Sequence, residues 1–412
     1  MLTTQGAHLQ ILMTRSLIST ASLLALASTL AAQNPQTLPQ TSGSSISGAL
    51  NSARYELGRG LTFSSQDGGN SMTVGGQLQV GYSWTEFNFD GASVGSDFSF
   101  DSSFSADARL RVGGHVMDNK YSYFVQMNPS GGGQGTGNLI DAWVGMNVSD
   151  GIHLRLGQQK MRSGLSADTS ANDTDFETIS RSSATNEFAN LRTTGALLTG
   201  NGMDGRFNWH FGIANGGTAA NGASQILFGA APASQANDDT DMAVTMGASF
   251  GSHAGTSEDW SEGDLARSGE SQWIAGATIT DDRLQGGGDL RTLNFFGGFK
   301  SGDGIAAQVE HWTREGEGAS NQNDGYGAYA QVSYTMAKSG SMQPGFVARY
   351  STVDFDGGAD GNEFTLGVNA YYAAHNLKWQ LEYASGTTGN FPVAGADDID
   401  SSALRVLCTV VF

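Results

Sequence analysis

A strict two-residue alternation of apolar and polar side chains constrains this chain more than any other feature. In one stretch the even positions hold Phe98, Phe100, Phe104, Ala106, Ala108, Leu110 and Val112, and the odd positions hold Asp101, Ser103, Ser105, Asp107, Arg109 and Arg111. Successive side chains of a β-strand point to opposite faces. The stretch therefore predicts a strand with one apolar face and one charged face. The same alternation recurs from Ser71 to Phe412.

The lengths of the connections between these stretches carry a second pattern. We count about sixteen candidate strands after Ser71. Connections after even-numbered strands are mostly tight, as at residues 149–151, and those after odd-numbered strands are longer, as at residues 160–191 and 216–240. One connection, residues 252–270, is long where a short turn is due. Either a strand pair is miscounted there or that turn contains an insertion.

Together these patterns predict an all-β fold. An even number of strands with short turns at one rim and long loops at the other is typical of outer-membrane barrels. A sheet in lipid must close, because an open edge would leave backbone groups unpaired in hydrocarbon. We therefore predict a closed antiparallel transmembrane β-barrel of about 16 strands over residues 71–412, with long extracellular loops and short periplasmic turns. A secreted β-sandwich or propeller is the alternative, but it does not explain the difference between the rims.

The N-terminus indicates export. Arg15 precedes an apolar run from residue 17 to 32 that ends in small residues, so we predict a signal peptide over residues 1–32, cleaved near Ala31 or Ala32. The run falls short of the ~20 apolar residues that a membrane-spanning helix needs. Residues 33–70 are rich in Gln, Ser, Gly and Pro, which predicts a flexible periplasmic leader, with a short helix near residues 50–57. We expect the mature protein in the outer membrane of a Gram-negative-type bacterium.

Composition excludes several classes of function. A net charge of −19 argues against nucleic-acid binding, which needs a basic face to displace counterions from phosphate. The single cysteine, Cys408, excludes an internal disulfide. The chain contains no H-E-x-x-H, G-x-S-x-G or P-loop motif. We therefore expect no cofactor, no bound metal and no catalytic residues.

Several segments resemble the phosphate-selective porin O and P family. The resemblance is strongest at Asp141-Ala-Trp-Val144, Leu154-Arg-Leu-Gly-Gln-Gln-Lys160, Arg181-Ser-Ser-Ala-Thr-Asn-Glu-Phe188 and Arg192-Thr-Thr-Gly-Ala-Leu-Leu198, with further support from Leu377-Lys-Trp-Gln-Leu-Glu-Tyr383 and from the closing strand. It covers most of the chain from Ser71 onward. It implies a sixteen-stranded trimeric porin whose third loop folds inward and which allows passive, diffusive uptake. The C-terminal Phe412 resembles the signal by which barrel-assembly machinery recognises its clients.

The chain departs from this family in its basic residues. The family's phosphate selectivity rests on rows of arginines and clusters of lysines that line the pore. This chain has five lysines in all, Lys120, Lys160, Lys300, Lys338 and Lys378. A lysine cluster therefore cannot be carried over to it, although arginine remains suited to oxyanions because its planar fork matches carboxylate and phosphate.

Charged residues on the polar strand faces and in the long loop are the candidate pore lining. The basic candidates are Arg109, Arg111, Arg155, Lys160, Arg162, Arg192, Arg349 and Arg405, and the acidic ones are Asp168, Asp173 and Asp175. In one interpretation the wall arginines guide anions, while Lys160 and Arg162 face the acids across a constriction. In the other, the arginines pair with Asp107, Asp141 or loop acids, and the loop acids pin the loop to the barrel wall.

The sequence thus predicts an outer-membrane porin for passive diffusion of small hydrophilic solutes and inorganic ions, with a preference for anions, phosphate among them, as the hypothesis for its selectivity. The expected partners are outer-membrane lipid, the solutes, two further copies in a homotrimer and the assembly machinery. One alternative is an outer-membrane barrel enzyme, which would need a Ser–His pair near one rim that no spacing suggests. The other is a non-conducting structural surface barrel.

Overall fold

The computed structural model describes residues 52–90, 99–129, 139–169, 174–189, 192–215, 242–284, 288–318, 324–356, 360–389 and 398–412. The predicted signal peptide and the first part of the predicted leader lie outside these ranges. No helix in the described ranges is long and apolar enough to cross a membrane.

Within these ranges, eighteen strands form one antiparallel sheet. They are β1 (Ser52–Glu56), β2 (Gly60–Ser64), β3 (Ser71–Asp90), β4 (Ser99–Val116), β5 (Tyr121–Met127), β6 (Leu139–Ser149), β7 (Ile152–Gln159), β8 (Thr193–Gly202), β9 (Phe207–Asn215), β10 (Met242–Gly251), β11 (Gln272–Leu284), β12 (Gly288–Lys300), β13 (Ile305–Gly318), β14 (Gly325–Thr335), β15 (Gln343–Phe355), β16 (Asp360–Tyr371), β17 (Leu377–Gly389) and β18 (Asp398–Val411).

Sixteen of these strands, β3 to β18, make the barrel. Each pairs with the next along the chain, and β18 pairs with β3 in a register that runs from Val411 opposite Gln77 to Asp398 opposite Asp90. This pairing closes the sheet, so the predicted closed antiparallel barrel is confirmed. On β14 the outward Tyr326, Val332 and Tyr334 are exposed, whereas the inward Tyr329 is buried. The alternation read from the sequence therefore separates a lipid-facing surface from a filled interior.

The two strands ahead of the barrel correct the prediction for the leader. Where a flexible segment to residue 70 and a helix near residues 50–57 were expected, β1 and β2 form a hairpin. The reason lies in the closure, because β18 and the following Phe412 cover β3 only from Gly76 onward. The first residues of β3 would keep an open edge, and β2 pairs with them, from Leu61 opposite Val74 to Ser64 opposite Ser71. The hairpin thereby supplies backbone partners that the barrel lacks.

The connections reproduce the predicted difference between the rims. The long connection at residues 252–271 is a turn with an insertion rather than a miscounted strand pair. The evidence is that β10 and β11 pair directly, up to Gly251 opposite Ile274. Its residues Ser257–Asp259 form a short 3-10 helix. We call residues 160–192 the inward loop and residues 252–271 the inward turn.

Candidate functional site: the filled lumen

The inward loop connects β7 to β8 and runs inside the barrel. It contains two short helices, Leu165–Asp168 and Ser183–Phe188. The carboxylate of Glu310, on β13, accepts hydrogen bonds from the backbone N–H groups of Leu165 and Ser166 at 2.8 and 2.7 Å. The inward-folded third loop implied by the family resemblance is thus present, and it is fastened to a wall strand far along the chain.

An apolar cluster fixes the second helix of the inward loop. Its members are Ala184, Phe188, Trp312, Tyr329, Val353 and Phe355, all buried. The rings of Phe188 and Phe355 stack with centroids 5.2 Å apart, and the Arg314 guanidinium lies 4.5 Å from the Phe188 ring centre. At the helix start, the Ser182 side chain accepts a hydrogen bond from the Thr185 N–H at 3.0 Å. The lumen therefore contains a small hydrophobic core on its β13–β15 side.

Charged wall residues hold the rest of the loop on the same side. The Arg349 guanidinium donates to the Ser180 carbonyl and the Thr178 hydroxyl, each at 2.7 Å. The Lys378 ammonium donates to the Thr174 carbonyl at 2.8 Å. Both basic residues are on strands from β15 to β17, so residues 174–188 of the loop lean on that half of the wall, whereas Met161 at the start of the loop packs against Leu197 and Ala214. On the other half, the inward-facing Asp101, Ser103 and Ser105 of β4 are exposed.

The inward turn enters the lumen from the opposite rim and meets the loop. The Glu262 carboxylate accepts from the Gln308 and Gln331 side-chain amides at 2.8 and 2.9 Å, and from the Glu177 N–H at 2.8 Å. The Ser257 hydroxyl of the turn donates to Asp168 of the loop at 2.7 Å. Two segments from opposite rims are therefore connected within the barrel by polar contacts. We call this group of contacts between the loop and the turn the joint.

The basic residues named from the sequence all lie on the lumen side, and most contact a carboxylate. The pairs are Arg109 with Asp107 (2.9 Å), Arg155 with Glu258 (2.9 Å), Arg162 with Glu258 (2.8 Å), Arg192 with Asp141 (3.1 Å), Arg349 with Glu363 (2.7 Å) and Arg405 with Glu382 (2.9 Å). Arg111 instead donates to the backbone carbonyl of Gly58. Lys160 donates to the Thr169 carbonyl of its own loop at 3.1 Å. Pairing with Asp107 and Asp141 is what the second sequence interpretation expected.

The acidic residues named from the sequence divide into three cases. Asp168 is buried and accepts from the Ser163 N–H at 3.1 Å as well as from Ser257, so it fastens the loop rather than facing a passage. Asp175 is half-buried, and its carbonyl accepts the Glu262 N–H at 2.9 Å. Asp173 lies outside the described residues.

Sequence reasoning missed the acids of the inward turn as partners of the pore arginines. Neither Glu258 nor Glu262 was among the acidic candidates named from the sequence. Both reach the lumen, where Glu258 contacts two arginines and Glu262 three donors. The one signal in the sequence was the unusual length of the connection. A turn that is long on the short-turn rim has enough chain to fold inward.

Burial and charge shift the pKa values of several joint residues. Burial raises the pKa of Glu177 to about 8, although the Ser333 hydroxyl and Lys378 oppose it. Burial also raises the pKa of Asp168 to about 7 against the charge of Arg162. For Glu258, burial pushes the pKa upward, but Arg155 and Arg162 outweigh it and lower the pKa to about 2. The joint therefore combines a permanently ionised carboxylate with two carboxyl groups that titrate near neutral pH.

A closed sixteen-stranded barrel narrowed by an inward loop defines an outer-membrane diffusion channel. Residues 72–412 match the family model described as phosphate-selective porin O and P, and the chain belongs to that family. It is an outer-membrane porin of a Gram-negative bacterium. The predicted family, function class and location are thereby confirmed.

Solved structures with a similar fold are also channels or outer-membrane proteins. The anion-selective porin from Comamonas acidovorans has a TM-score of 0.53 at 12% identity over 83% of this chain and 100% of its own. The outer membrane channel DcaP of Acinetobacter baumannii has 0.53 at 11% over 85% and 99%. The outer-membrane OmpT of Vibrio cholerae has 0.51 at 10% over 84% and 98%. Likeness at such identities concerns the fold alone. No curated protein matches the chain.

Proposed function

We propose that this porin carries small hydrophilic solutes by passive diffusion along the β3–β9 side of the lumen, with a moderate preference for anions. Residues 174–188 of the inward loop lean on the other half of the wall, which supports this route. Arg111 on β4 is the observation that carries the preference. Its guanidinium donates to the Gly58 backbone carbonyl and interacts with the charge of Asp175 without a contact ion pair between the two described side chains, so its positive charge is only partly offset.

The preference extends to phosphate as one anion among several. The arginine fork suits phosphate oxygens, but this chain lacks a lysine cluster and pairs most lumen arginines with acids. We therefore propose weak phosphate binding rather than a dedicated phosphate filter.

Reversal potentials under a KCl gradient in planar bilayers test the preference. Chloride should be favoured in the unmodified protein, and Arg111→Ala should move the reversal potential toward zero because one positive charge that is only partly offset leaves the passage. Arg54→Ala is the matched control, since Arg54 on β1 is highly exposed and lies outside the barrel wall. Cation preference in the unmodified protein would refute the anion assignment, and a folded protein that never conducts would refute the diffusion channel.

A homotrimer is the proposed assembly, with the outer face of β5–β9 at its centre. Strands β5 and β7 have 7 and 8 residues, fewer than the roughly 9–11 that a lipid-spanning strand needs. Exposed outward residues of β6 and β7 are aliphatic, such as Val144 and Leu156, whereas β14–β17 present Tyr350, Trp379 and Tyr383 as an aromatic girdle would. Contact with further copies would shield the short strands from lipid. Native mass spectrometry of the detergent-solubilised protein should give the mass of three chains, and a monomer would contradict this proposal.

A barrel hydrolase is the alternative with a specific observation in its favour. The Ser71 hydroxyl lies 2.8 Å from His115 Nδ1, a pair that the sequence spacing did not suggest. The other ring nitrogen of His115 faces the Gly68 carbonyl at 3.1 Å instead of a carboxylate that would orient it as a general base. We expect no hydrolysis of nitrophenyl esters above background. Hydrolysis that disappears in Ser71→Ala would instead establish the enzyme.

A further inference from the structure

Two arginines from different parts of the chain converge on one carboxylate at the short-turn end of the lumen. Arg155 Nη1, from β7, lies 2.9 and 3.3 Å from the two Glu258 oxygens. Arg162 Nη2, from the inward loop, lies 2.8 Å from Glu258 Oε2. Two guanidinium groups on a single carboxylate give it more charge-assisted donors than an ordinary ion pair does.

The two arginines are held in place by contacts other than this carboxylate. The Arg155 guanidinium lies 4.6 Å from the ring centre of Trp143, which fixes its plane and leaves its edge available for hydrogen bonds. The Arg162 backbone has φ 60°, a left-handed conformation that a non-glycine residue keeps only where its surroundings impose it. Its side chain is 8% exposed. Rigid, partly desolvated guanidinium groups form a binding site for an oxyanion.

The carboxylate that fills this site comes from the inward turn. Glu258 belongs to the 3-10 helix of the inward turn, whose start is fixed by reciprocal hydrogen bonds between Thr256 and Asp259. A cleft of about 500 Å³ surrounds the contact and is lined by Trp143, Arg155, Arg162 and Glu258. Asn119 and Asn201, at the tight turns, also line it, so the cleft opens at the short-turn rim. A solute leaving the lumen at that rim can reach the arginines.

We propose that Arg155 and Arg162 form an oxyanion site in the exit of the channel and that Glu258 occupies it as a built-in carboxylate, reducing the channel's preference for anions. This inference rests on the proposed anion route. The ligands that fit the exposed site are phosphate and carboxylate, because both present oxygens to a planar fork. Glu258 is thus a residue that sets selectivity, although it lies outside the loop that usually narrows a porin.

The charge state of Glu258 supports this arrangement. Its two arginine neighbours lower the pKa of this carboxyl to about 2, against the opposing effect of burial. Glu258 is therefore ionised wherever the porin operates, and a drop in pH alone does not uncover the arginines. Removal of the carboxylate is the direct way to reveal them.

The test compares Glu258→Gln with Glu270→Gln in planar bilayers. Both changes remove one acid from the inward turn, but the Glu270 side chain is 78% exposed and contacts neither arginine. For Glu258→Gln we expect the chloride-to-potassium permeability ratio to rise, because removing one unit charge about 5 Å from a passing ion in a water-like dielectric raises the chloride permeability roughly fourfold and lowers the potassium permeability by a similar factor. Inorganic phosphate, and in a separate arm acetate, should then inhibit the chloride current at lower concentration than in the unmodified protein. Glu270→Gln should change neither quantity.

A triple variant tests whether the rise in the permeability ratio and the inhibition by phosphate depend on the two arginines. Arg155→Gln and Arg162→Gln, added to Glu258→Gln, should abolish both the rise in the permeability ratio and the inhibition by phosphate. Unchanged selectivity in a folded Glu258→Gln protein would overturn the proposal, and so would a gain that survives in the triple variant.

Two further readouts separate folding and the proposed function from this inference. If Glu258→Gln does not assemble, phosphate binding to Glu258→Asp is measured by calorimetry, because the shorter side chain withdraws from the arginines and keeps the charge. Tighter phosphate binding would support the site, and unchanged binding would refute it. Because each result is a difference from the unmodified channel, the inference can hold even if that channel prefers cations.

Discussion

The inward loop and the inward turn fill the same lumen but are held by different forces. The loop is anchored by its second helix, where Phe188 is buried against Trp312 and Phe355. The turn is anchored largely by carboxylates, as Glu258 contacts two arginines and Asp264 accepts the Gly304 N–H at 2.7 Å. Its one large apolar contact is Trp260, which packs with Leu165 of the loop. Hydrophobic burial thus holds the second helix of the loop, alongside the polar contacts that Glu310, Arg349 and Lys378 make to the rest of it, whereas oriented charge holds most of the turn.

This difference assigns separate roles to the two segments. Burial depends little on salt or pH, so the loop should set the permanent width of the pore. Ion pairs and buried carboxyl groups respond to both conditions, so the turn and its joint with the loop should set the pore's response to its surroundings.

Removing the apolar anchor should have the largest effect. Phe188→Ala deletes a ring that stacks on Phe355, and truncation of a buried phenylalanine costs about 3–5 kcal/mol. We expect the loop to detach from the β13–β15 side of the wall. The single-channel conductance should then rise. The control is Phe104→Ala, because Phe104 points outward and is 84% exposed. Equal conductance in Phe188→Ala and the unmodified protein would show that burial does not hold the loop.

Weakening the polar anchor of the turn should have an intermediate effect. Glu262→Gln places an amide N–H₂ among three donors, and such an unsatisfied arrangement costs about 1–3 kcal/mol. Hydrogen–deuterium exchange should then accelerate in residues 252–271 while the Ser183–Phe188 helix stays protected. Matched acceleration in both segments would mean that they unfold as one unit and that the contrast between them is wrong.

A rise in pH should have the smallest effect, confined to the joint. Glu177 is buried beside Glu262, and neither of its carboxylate oxygens makes a hydrogen bond of good geometry in the described structure. Its pKa in the folded protein, about 8, lies above the ordinary value of 4.5. The stabilisation it contributes is therefore complete below about pH 4.5 and is lost as the pH rises through about 8.

Conductance fluctuations should accordingly become more frequent between about pH 6 and about pH 9, as the ionised Glu177 repels Glu262. In Glu177→Gln, which mimics the neutral acid, the rise in fluctuations should be smaller, and what remains should follow Asp168, whose pKa is about 7. An unmodified channel that is equally quiet at both pH values would show that Glu177 does not titrate at the joint.

Residue alternation along the chain was enough to predict the barrel and the faces that carry its charges. Alternation with a period of two decides which side chains face lipid, because successive strand residues point to opposite faces. It placed Arg109, Arg155 and Arg349 on the lumen side, and the connection lengths separated the two rims. Family resemblance added the inward loop. Strand faces and connection lengths depend on neighbouring residues, so they can be predicted without knowledge of contacts between distant segments.

The contact partners of these charges, in contrast, depend on how distant segments meet in the folded barrel. Arg155 meets Glu258 across 103 positions, and Leu165 meets Glu310 across 145, because strands that are remote in the chain face each other across a closed barrel. Alternation fixes the face of a residue but not its partner across the lumen. The leader hairpin likewise formed because β18 stops short along β3, a register that no single segment encodes. The sequence therefore determined the wall, and closure of the wall determined which charges meet inside it.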